Sequence, residues 1–593
     1  MHNLKFEEKK LSVKGYKWQK KTLTTSFKQK IIDKFNVSNV IAEIIATKFT
    51  DLDDVENFVN ATLKQNMKDP FILKDMKKGV ELVIKAILQK KNIVIFADYD
   101  VDGATSAALF KNYFRKIGSK IDIYIPDRII EGYGPNSNAL LKLKQQNKDL
   151  VITLDCGTTA FEPLEAASNA GLDVIVIDHH LGTKETPKAL AIINPNRVDE
   201  SGEYSYLCAA GVSFLFLIAL NNMLEQEGFF DHIEKPNLLE LLDLAAIGTI
   251  CDMVPLTNLN RAVVKQGLKI LRQTNRAGIR ALSAVSGCNL ADVDSYHLGF
   301  VIGPRINAGG RVATSNLGAE LLSTDNYEEA YKIAIQLELH NKERKAIEQM
   351  VQEEAIAQIE QNKLYNNSVI IVAGQNWHPG VIGIVASRIK DKYNLPAIVV
   401  AFDNNIGKAS CRSIKGVDLG SEIVTANKKG LLVNGGGHAM AAGFTIEEEK
   451  LSLLINYLNG ELSDSVKVAH TNKVKEYICN VSISAFNVEF LKKINILAPF
   501  GQDNPEPRFV IDDCKIFNLK KIGTNHLKLR LVESVSGIYG QSLDAVVWKA
   551  LDTDLGDALL QSQGKKVSVL GTIKLNKWNE RETPQFQIED IYV

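Results

Sequence analysis

None of the seven cysteines is spaced C-x-x-C with another, so neither a zinc ribbon nor a dithiol redox motif is written into this chain. Cys156, Cys208, Cys251, Cys288, Cys411, Cys479 and Cys514 are scattered over 593 residues, which argues against a disulfide framework and fits a reducing compartment. No apolar run reaches the length of a bilayer crossing, and the opening stretch MHNLKFEEKKLSVKGYKW lacks the apolar core of a signal peptide. The expectation is a cytoplasmic protein. Net charge is missing as well, with 70 basic and 70 acidic residues. Whole-chain charge therefore does not mark a nucleic-acid binder, although one local groove would suffice. The first thirty residues hold nine Lys and two Glu and read as a solvated basic terminus. The remaining composition is ordinary, 45% apolar and 24% charged, and the length exceeds what one core can organise.

Periodicity divides the chain at 1–75, 76–324, 325–363, 364–462 and 463–593. The first segment reads as short helices, with apolar residues at three- and four-residue spacing. From residue 92 the runs NIVIFAD, IDIYIPD, DLVITLD and DVIVID alternate with helical stretches. Apolar runs without polar interruption predict a parallel sheet covered on both faces, with its ligand site beyond the carboxyl ends of the strands. Residues 325–363 have helical period with no Gly or Pro and predict a long connecting helix. A second α/β unit follows in SVIIVAG, HPGVIGIVASRIKDKY and AIVVAF. Six short strands at turn-rich spacing after about residue 465 predict a small β-barrel.

The strand ends carry the chemistry. NIVIFAD runs out into Asp98-Tyr99-Asp100-Val101-Asp102-Gly103, DLVITLD ends in Asp155, and DVIVID ends in Asp178-His179-His180. Five acids and two imidazoles converging on one crevice repel one another and lose solvation, and cations relieve both. Oxygen ligands mixed with imidazole suit Mn²⁺ or Mg²⁺. A calcium loop beginning at Asp98 is excluded, because its twelfth position is Leu109 and a strand precedes it. Each acid alone reads as a helix cap; the combination points to a metal site.

ADYDVDGATS, LDCG, DHH and CDMVPL, in that order, resemble the motifs of the DHH phosphoesterase superfamily. IPDRIIEGYG, CAAGV, GPRINAGGR, NWHPGVIGIVASR, SCRSI, GGGHAMAAGF and APFGQDNPEPRF extend the resemblance over roughly residues 90 to 510. Within the superfamily they resemble the branch of single-strand-specific 5′-to-3′ DNA exonucleases. One departure is Phe96, where some members carry His.

The resemblance implies a fold of a DHH domain (76–324), a connecting helix, a DHH-associated domain (364–462) and an oligonucleotide-binding (OB) barrel (463–593). It implies two Mn²⁺ or Mg²⁺ ions sharing Asp155, one taking Asp98 and Asp100, the other Asp102, His179 and Asp252. His180 would face the scissile phosphate, and 5′-mononucleotides would be released. Arg128, Arg311, Ser410 and Arg412 would clamp a 5′ phosphate, while Arg305 and Asn307 would contact the phosphate at the metals. Gly436, Gly437 and His438 would approach the nucleic-acid backbone, with Trp377, His378 and Pro379 as supporting structure. Lys520, Lys521, Lys528, Arg530 and Trp548 are the barrel's candidate contacts, although residues 473–593 hold sixteen basic and fifteen acidic side chains. Expected partners are single-stranded DNA, a helicase and a single-strand-binding protein, with the chain itself a monomer active in repair and recombination. Two other readings stand beside it. One is a small-substrate phosphodiesterase of the superfamily, acting on oligoribonucleotides or cyclic dinucleotides; the other is a non-catalytic single-strand-binding scaffold.

Overall fold

Ile93–Ala97, Leu150–Leu154 and Ala191–Ile193 are buried at every position, so both faces of their sheet are covered by helices. In this computed structural model, which describes residues 11–127, 131–312, 314–471, 473–535, 538–578 and 581–593, the chain forms two units. One comprises Met67–Pro255 and Ala262–Asn472. The other comprises Met1–Asn66, Leu256–Arg261 and Lys473–Val593.

The first of these holds a five-stranded parallel sheet in the order Asp122–Tyr124, Ile93–Ala97, Leu150–Leu154, Asp173–Ile177, Ala191–Ile193. The last strand is only three residues long and was not legible as a run. The chain steps to one side after Ile93–Ala97 and to the other from Leu150 onward. The strand order therefore reverses between those two neighbours, and a crevice opens at their carboxyl ends. Asp98 and Asp155 are the first residues beyond those ends. LCAAGVSFLFLIALNNML, which the sequence reads as a buried helix short of bilayer length, forms most of helix Ala209–Gln226; the helix is long and apolar enough to match a membrane span, and 72% of it is buried in this core.

The expected connector is a helix, Tyr327–Gln361, begun by Asn326, whose side chain accepts from the amides of Glu328 and Glu329. Its 35 residues span about 52 Å. It packs on helices Gly303–Val312 and Leu317–Ser323, and also on helix Ile382–Tyr393 and strand Ile370–Gln375. Its buried face is apolar at Leu337 and again at Val351, but between them it carries Asn341, Arg344 and Glu348. Arg344 donates to Glu348 at 2.6 Å and to Asn341 at 3.0 Å, and Arg388 of helix Ile382–Tyr393 pairs with the same carboxylate. Beyond it, Ile370–Gln375 and Ala397–Asp403 pair in parallel, and Ile406–Arg412, Ala441–Glu447 and Asn434–His438 complete a mixed sheet.

In the other unit, strands Phe509–Ile522, His526–Val535, Ile538–Val547, Arg581–Tyr592 and Lys566–Trp578 form a barrel. It is closed by pairing of the first with the last. Helix Asp554–Gln561 lies between two of the strands in sequence. The sequence predicted a helical region of its own over residues 1–75, and this is revised. Phe27, Ile31, Ile41, Ile44 and Val55 share one core with Phe509, Ile511 and Phe586 of the barrel, because the short amphipathic helices bury their faces there. Lys17–Lys20 adds as a parallel strand to Val474–Tyr477. Asp590, fully buried, accepts from Ser12 Oγ at 2.5 Å and Trp18 Nε1 at 3.0 Å, tying the start of the described chain to its last strand.

Arg261 is the largest fully buried side chain. It donates to the carbonyls of Phe58 (2.6 Å), Leu497 (3.0 Å), Ala498 (2.9 Å) and Pro499 (3.3 Å), and its guanidinium lies 3.7 Å from the Phe58 ring centroid. Arg261→Met removes the guanidinium from all four carbonyls, of which Asn504 still serves Leu497 and Pro499, and should lower stability by about 3 kcal/mol. Urea denaturation of the full chain checks this, and an unchanged midpoint contradicts it.

Candidate active site and phosphate cradle

The acids of the three strand ends reach one place. Asp98, Asp100 and Asp155 offer ligand atoms lying within 4.8 Å of one another; so do Asp102, His179 and Asp252, and so do Asp155, His179 and His180. His179 Nε2 stands 3.3 Å from Asp155 Oδ1, 3.7 Å from Asp252 Oδ2 and 3.9 Å from Asp102 Oδ2. Asp155 is thus common to two groups and His179 to two.

Each side chain is fixed by a local device. Asp100 caps helix Val101–Lys116, one of its oxygens accepting from the amides of Asp102 (2.8 Å) and Gly103 (3.1 Å). Asp102 accepts from the amides of Ala209 (2.6 Å) and Ala210 (2.9 Å), the first residues of helix Ala209–Gln226. The positive end of that helix therefore holds a carboxylate, which is the physical content of CAAGV. A Cβ on Gly103 would fall 2.2 Å from the Asp98 carbonyl, and one on Gly248 would fall 2.8 Å from Asp102 Oδ1. Asp155 sits at φ 62°, a backbone strain located at the shared ligand. Asp252 ends helix Leu242–Cys251, and Met253 after it also has a positive φ of 58°.

Asp178 has a different task from the one its grouping with the histidines suggested. It lies outside the three ligand groups. Its carboxylate accepts from the amides of Thr158 (3.0 Å), His179 (2.7 Å) and His180 (3.2 Å) and holds His180 Nδ1 at 2.8 Å. Asn194 and Asn196 then donate to the carbonyls of His180 (2.8 Å) and His179 (2.5 Å). Sequence reasoning missed this pair; their only signal is the NPN after the last short strand. Phe96, the departure from some superfamily members, is buried and stacks on Tyr124.

Crowding shows in the electrostatics. Burial, then the charges of Asp102, Asp100 and Asp98, push Asp155 well above the carboxylate range. Burial also raises Asp102, against the pull of His179. Asp252 is lifted to about 8 by burial and by Asp102 and Asp100. Burial opposes charge on His180, but its hydrogen bond and proximity to Asp178 outweigh this and raise it to about 9. Asp155 Oδ1 is buried and accepts no hydrogen bond from any described group. An orphaned carboxylate oxygen among acids and imidazoles fits a divalent cation with oxygen and nitrogen ligands.

The phosphate candidates gather nearby, through helix Gly303–Val312. A Cβ on Gly303 would sit 2.6 Å from Cys251 Sγ and one on Gly310 would sit 2.7 Å from the Tyr99 carbonyl, so the helix lies against both ends of the ligand set. At its far end Arg311 donates to the Gly380 carbonyl at 2.9 Å. Gly380 precedes helix Ile382–Tyr393, where a Cβ on Gly383 would meet Ser410 Oγ at 3.0 Å and Arg412 Nη2 at 3.3 Å. Arg412 also donates to Ser410 Oγ at 3.2 Å. Arg311, Ser410 and Arg412 thus surround one helix N-terminus. His378 Nδ1 accepts from the Gly380 amide at 3.0 Å, and Trp377 is buried with Nε1 donating to Glu354 at 2.6 Å, both as supporting structure.

The other candidates are placed differently. Arg305 is engaged with Glu338 of the long helix at 2.7 Å and with the Val301 carbonyl at 2.7 Å. Asn307 is half-buried on the same helix. Gly436, Gly437 and His438 lie on the edge strand Asn434–His438, with His438 exposed. A Cβ on Gly437 would strike Ala442 on the paired strand at 2.4 Å, so that glycine is demanded by packing. Arg128 lies outside the described residues. On the barrel, Lys528 and Arg530 flank Asp544 at 3.4 and 3.3 Å, Lys520 pairs across from Lys528, and exposed Trp548 stands edge-on to His526.

A family model described as the DHH family, N-terminal domain, matches residues 92–249; the DHHA1 domain matches 366–464 and the RecJ OB domain 479–590. The single-stranded-DNA-specific exonuclease RecJ of Haemophilus influenzae is 36% identical over 501 residues, 83% of this chain and 86% of that protein. The crystal structure of RecJ from Thermus thermophilus in complex with Mn²⁺ matches with 26% identity and a TM-score of 0.77, covering 98% of this chain and 80% of that one. The complex of RecJ from Thermus thermophilus with Mg²⁺ matches with 25% identity and a TM-score of 0.68, covering 97% and 78%.

The raised acids set a sign for the metal-free chain. Their protons are held in the folded state and released in the unfolded one, so stability falls as pH rises from the ordinary carboxylate range, about 4, through about 8. His180 acts in the same direction, its contribution being lost as pH rises through about 9. Melting in a chelator should show Tm falling over this range. Millimolar Mn²⁺ should raise Tm and flatten the dependence in the wild type but not in Asp155→Ala. A wild-type Tm indifferent to Mn²⁺ contradicts the assignment.

Proposed function

This chain belongs to the RecJ family of single-stranded-DNA-specific exonucleases, and on that footing we propose that it hydrolyses single-stranded DNA from the 5′ end, releasing 5′-mononucleotides. The observation that carries the polarity is the cradle of Arg311, Ser410 and Arg412 at the start of helix Ile382–Tyr393, tied to the acid cluster through helix Gly303–Val312. A helix N-terminus with two guanidinium groups fits a terminal phosphate, whose two charges a mid-chain phosphodiester lacks. Holding that end at a set distance from the acids selects the bond to be cut. Arg128 is proposed for the same clamp from its place in the motif. Arg305 acts by holding helix Gly303–Val312 to the long helix, and Asn307 faces the phosphate from that helix.

Asp98, Asp100 and Asp155 would hold one divalent cation, Mn²⁺ or Mg²⁺, and Asp102, His179 and Asp252 a second, with Asp155 shared, and the cations would supply Lewis acidity for water and phosphate. The chain's own residues do the rest. Asp178 fixes the His180 ring through Nδ1, and the exposed part of the ring would meet the phosphate. The Asp178 carboxylate on Nδ1 favours the protonated ring, which would donate to a phosphate oxygen as charge builds there. The 3′ oxygen leaves with a proton from solvent, and no covalent intermediate forms. Gly436, Gly437 and His438 meet the strand's backbone along an exposed edge. The barrel's Lys520, Lys521, Lys528, Arg530 and Trp548 supply charge and a stacking surface. The match to a RecJ OB domain favours this reading over a small-substrate phosphodiesterase. We place the enzyme in the cytoplasm as a monomer serving repair and recombination, with a helicase and a single-strand-binding protein supplying its substrate.

Oligonucleotides labelled at either end decide the polarity. With Mn²⁺, the 5′ label should appear as mononucleotide before the 3′ label, and a blunt duplex should resist. Arg412→Ala should lower kcat/KM on a 5′-phosphorylated strand by roughly 10- to 100-fold, the range for a charged hydrogen bond. A 5′-hydroxyl strand should be affected far less. Earlier release of the 3′ label, or equal losses on the two strands, sinks the proposal.

A further inference from the structure

His180 has a second neighbour beside Asp178, a tyrosine of the IPDRIIEGYG stretch to which the sequence assigned no role. Tyr133 Oη donates to the backbone carbonyl of Asp155 at 3.1 Å and lies 3.3 Å from each nitrogen of the His180 ring. The two rings meet edge-on, with centroids 5.8 Å apart at 70°. Tyr133 is 54% exposed. Core packing therefore does not explain a tyrosine whose hydroxyl alone is turned inward, onto the backbone of the shared ligand.

Its placement is built from below. Phe96, on the strand that ends in Asp98, stacks on Tyr124 with ring centroids 5.3 Å apart. Tyr124 Oη donates to Glu131 Oε1 at 2.6 Å, and the other oxygen of Glu131 accepts from the Asp127 amide at 2.8 Å. The Glu131 amide returns to the Asp127 carbonyl at 2.7 Å. Tyr133 then stands between Gly132 at φ 83° and Gly134 at φ 73°. L side chains seldom adopt such angles, and here they turn the tyrosine back over the crevice.

We propose that Tyr133 is a positioning residue of the hydrolysis. Its hydroxyl, anchored on the Asp155 carbonyl and 3.3 Å from both ring nitrogens, holds the His180 ring at the rim of the acid cluster in addition to Asp178. The His180 side chain is 48% exposed, and its other close polar contact is with Asp178 at 2.8 Å. Two contacts from different strand ends fix the ring's rotation as well as its position. Tyr133 thus acts through His180 and not on the cations or the chain end. This rests on the exonuclease reading of the same site.

A double-mutant cycle on the full chain tests it, with single-turnover hydrolysis of a 5′-phosphorylated oligonucleotide in Mn²⁺. Tyr133→Phe keeps the ring and removes the hydroxyl; it should lower kcat about tenfold, with KM within about twofold. In a His180→Ala background the same change should cost less than about twofold, because the group it positions is gone. Glu131→Gln leaves Tyr133 in place but weakens its stem, and should show the same dependence on background with a smaller loss. Tyr133→Phe at wild-type kcat, an equal loss in both backgrounds, or a loss confined to KM each overturns the inference. Wild-type protein that fails to digest the strand at all removes the exonuclease reading itself, and this inference with it.

Discussion

Mutual repulsion of buried carboxylates is the constraint around which the catalytic half of this molecule is arranged. Asp98, Asp102 and Asp155 are buried, and Asp100 and Asp252 stand beside them. No apolar core tolerates that much negative charge. Among the described residues the group closest to Asp155 Oδ1 that can carry positive charge is an imidazole at 3.3 Å, so relief there does not come from a lysine or arginine. The protein spends backbone amides instead. Asp100 takes those of its own helix, Asp102 those of helix Ala209–Gln226, and Asp178 those of the loop and histidines around it. These fix the orientation of the acids but leave one oxygen of Asp155 without a donor, and that remaining deficit is what a cation fills.

Close backbone approach is the second consequence. Gly103, Gly248, Gly303 and Gly310 each sit where a Cβ would collide with a ligand or its neighbour. They let helices press closely on the acid cluster. Through the last two, helix Gly303–Val312 carries the geometry of the metal centre outward to Arg311 and the helix N-terminus beyond. The long helix braces this with Glu338 on Arg305 and with the buried Asn341, Arg344 and Glu348 set. The proposed clamp for a chain end thus stands on a different sheet from the acid cluster, at a separation that packing sets.

Much of this was legible because parallel strands announce themselves as unbroken apolar runs, and their first polar residues are the site. NIVIFAD and DLVITLD gave both the sheet and Asp98 and Asp155, and the long helix was plain from a stretch without Gly or Pro. What stayed hidden was held by contacts distant in sequence. The three-residue strand Ala191–Ile193 is too short to carry a period. The tie of Arg305 to Glu338 joins residues far apart in sequence. Asp178 looks like a metal ligand until its amide donors are counted. The helices before Val59 look independent because their apolar faces are matched only by a barrel beginning more than four hundred residues later.

The claim on which the account stands is that cations, with Asp155 shared between them, complete the acid cluster. Anomalous scattering from crystals of the full chain soaked in Mn²⁺ reads this directly. Two peaks, each within coordination distance of Asp155, one also beside Asp98 and Asp100 and the other beside Asp102, His179 and Asp252, are what the account predicts. A single peak, or peaks that leave Asp155 unliganded, would contradict it.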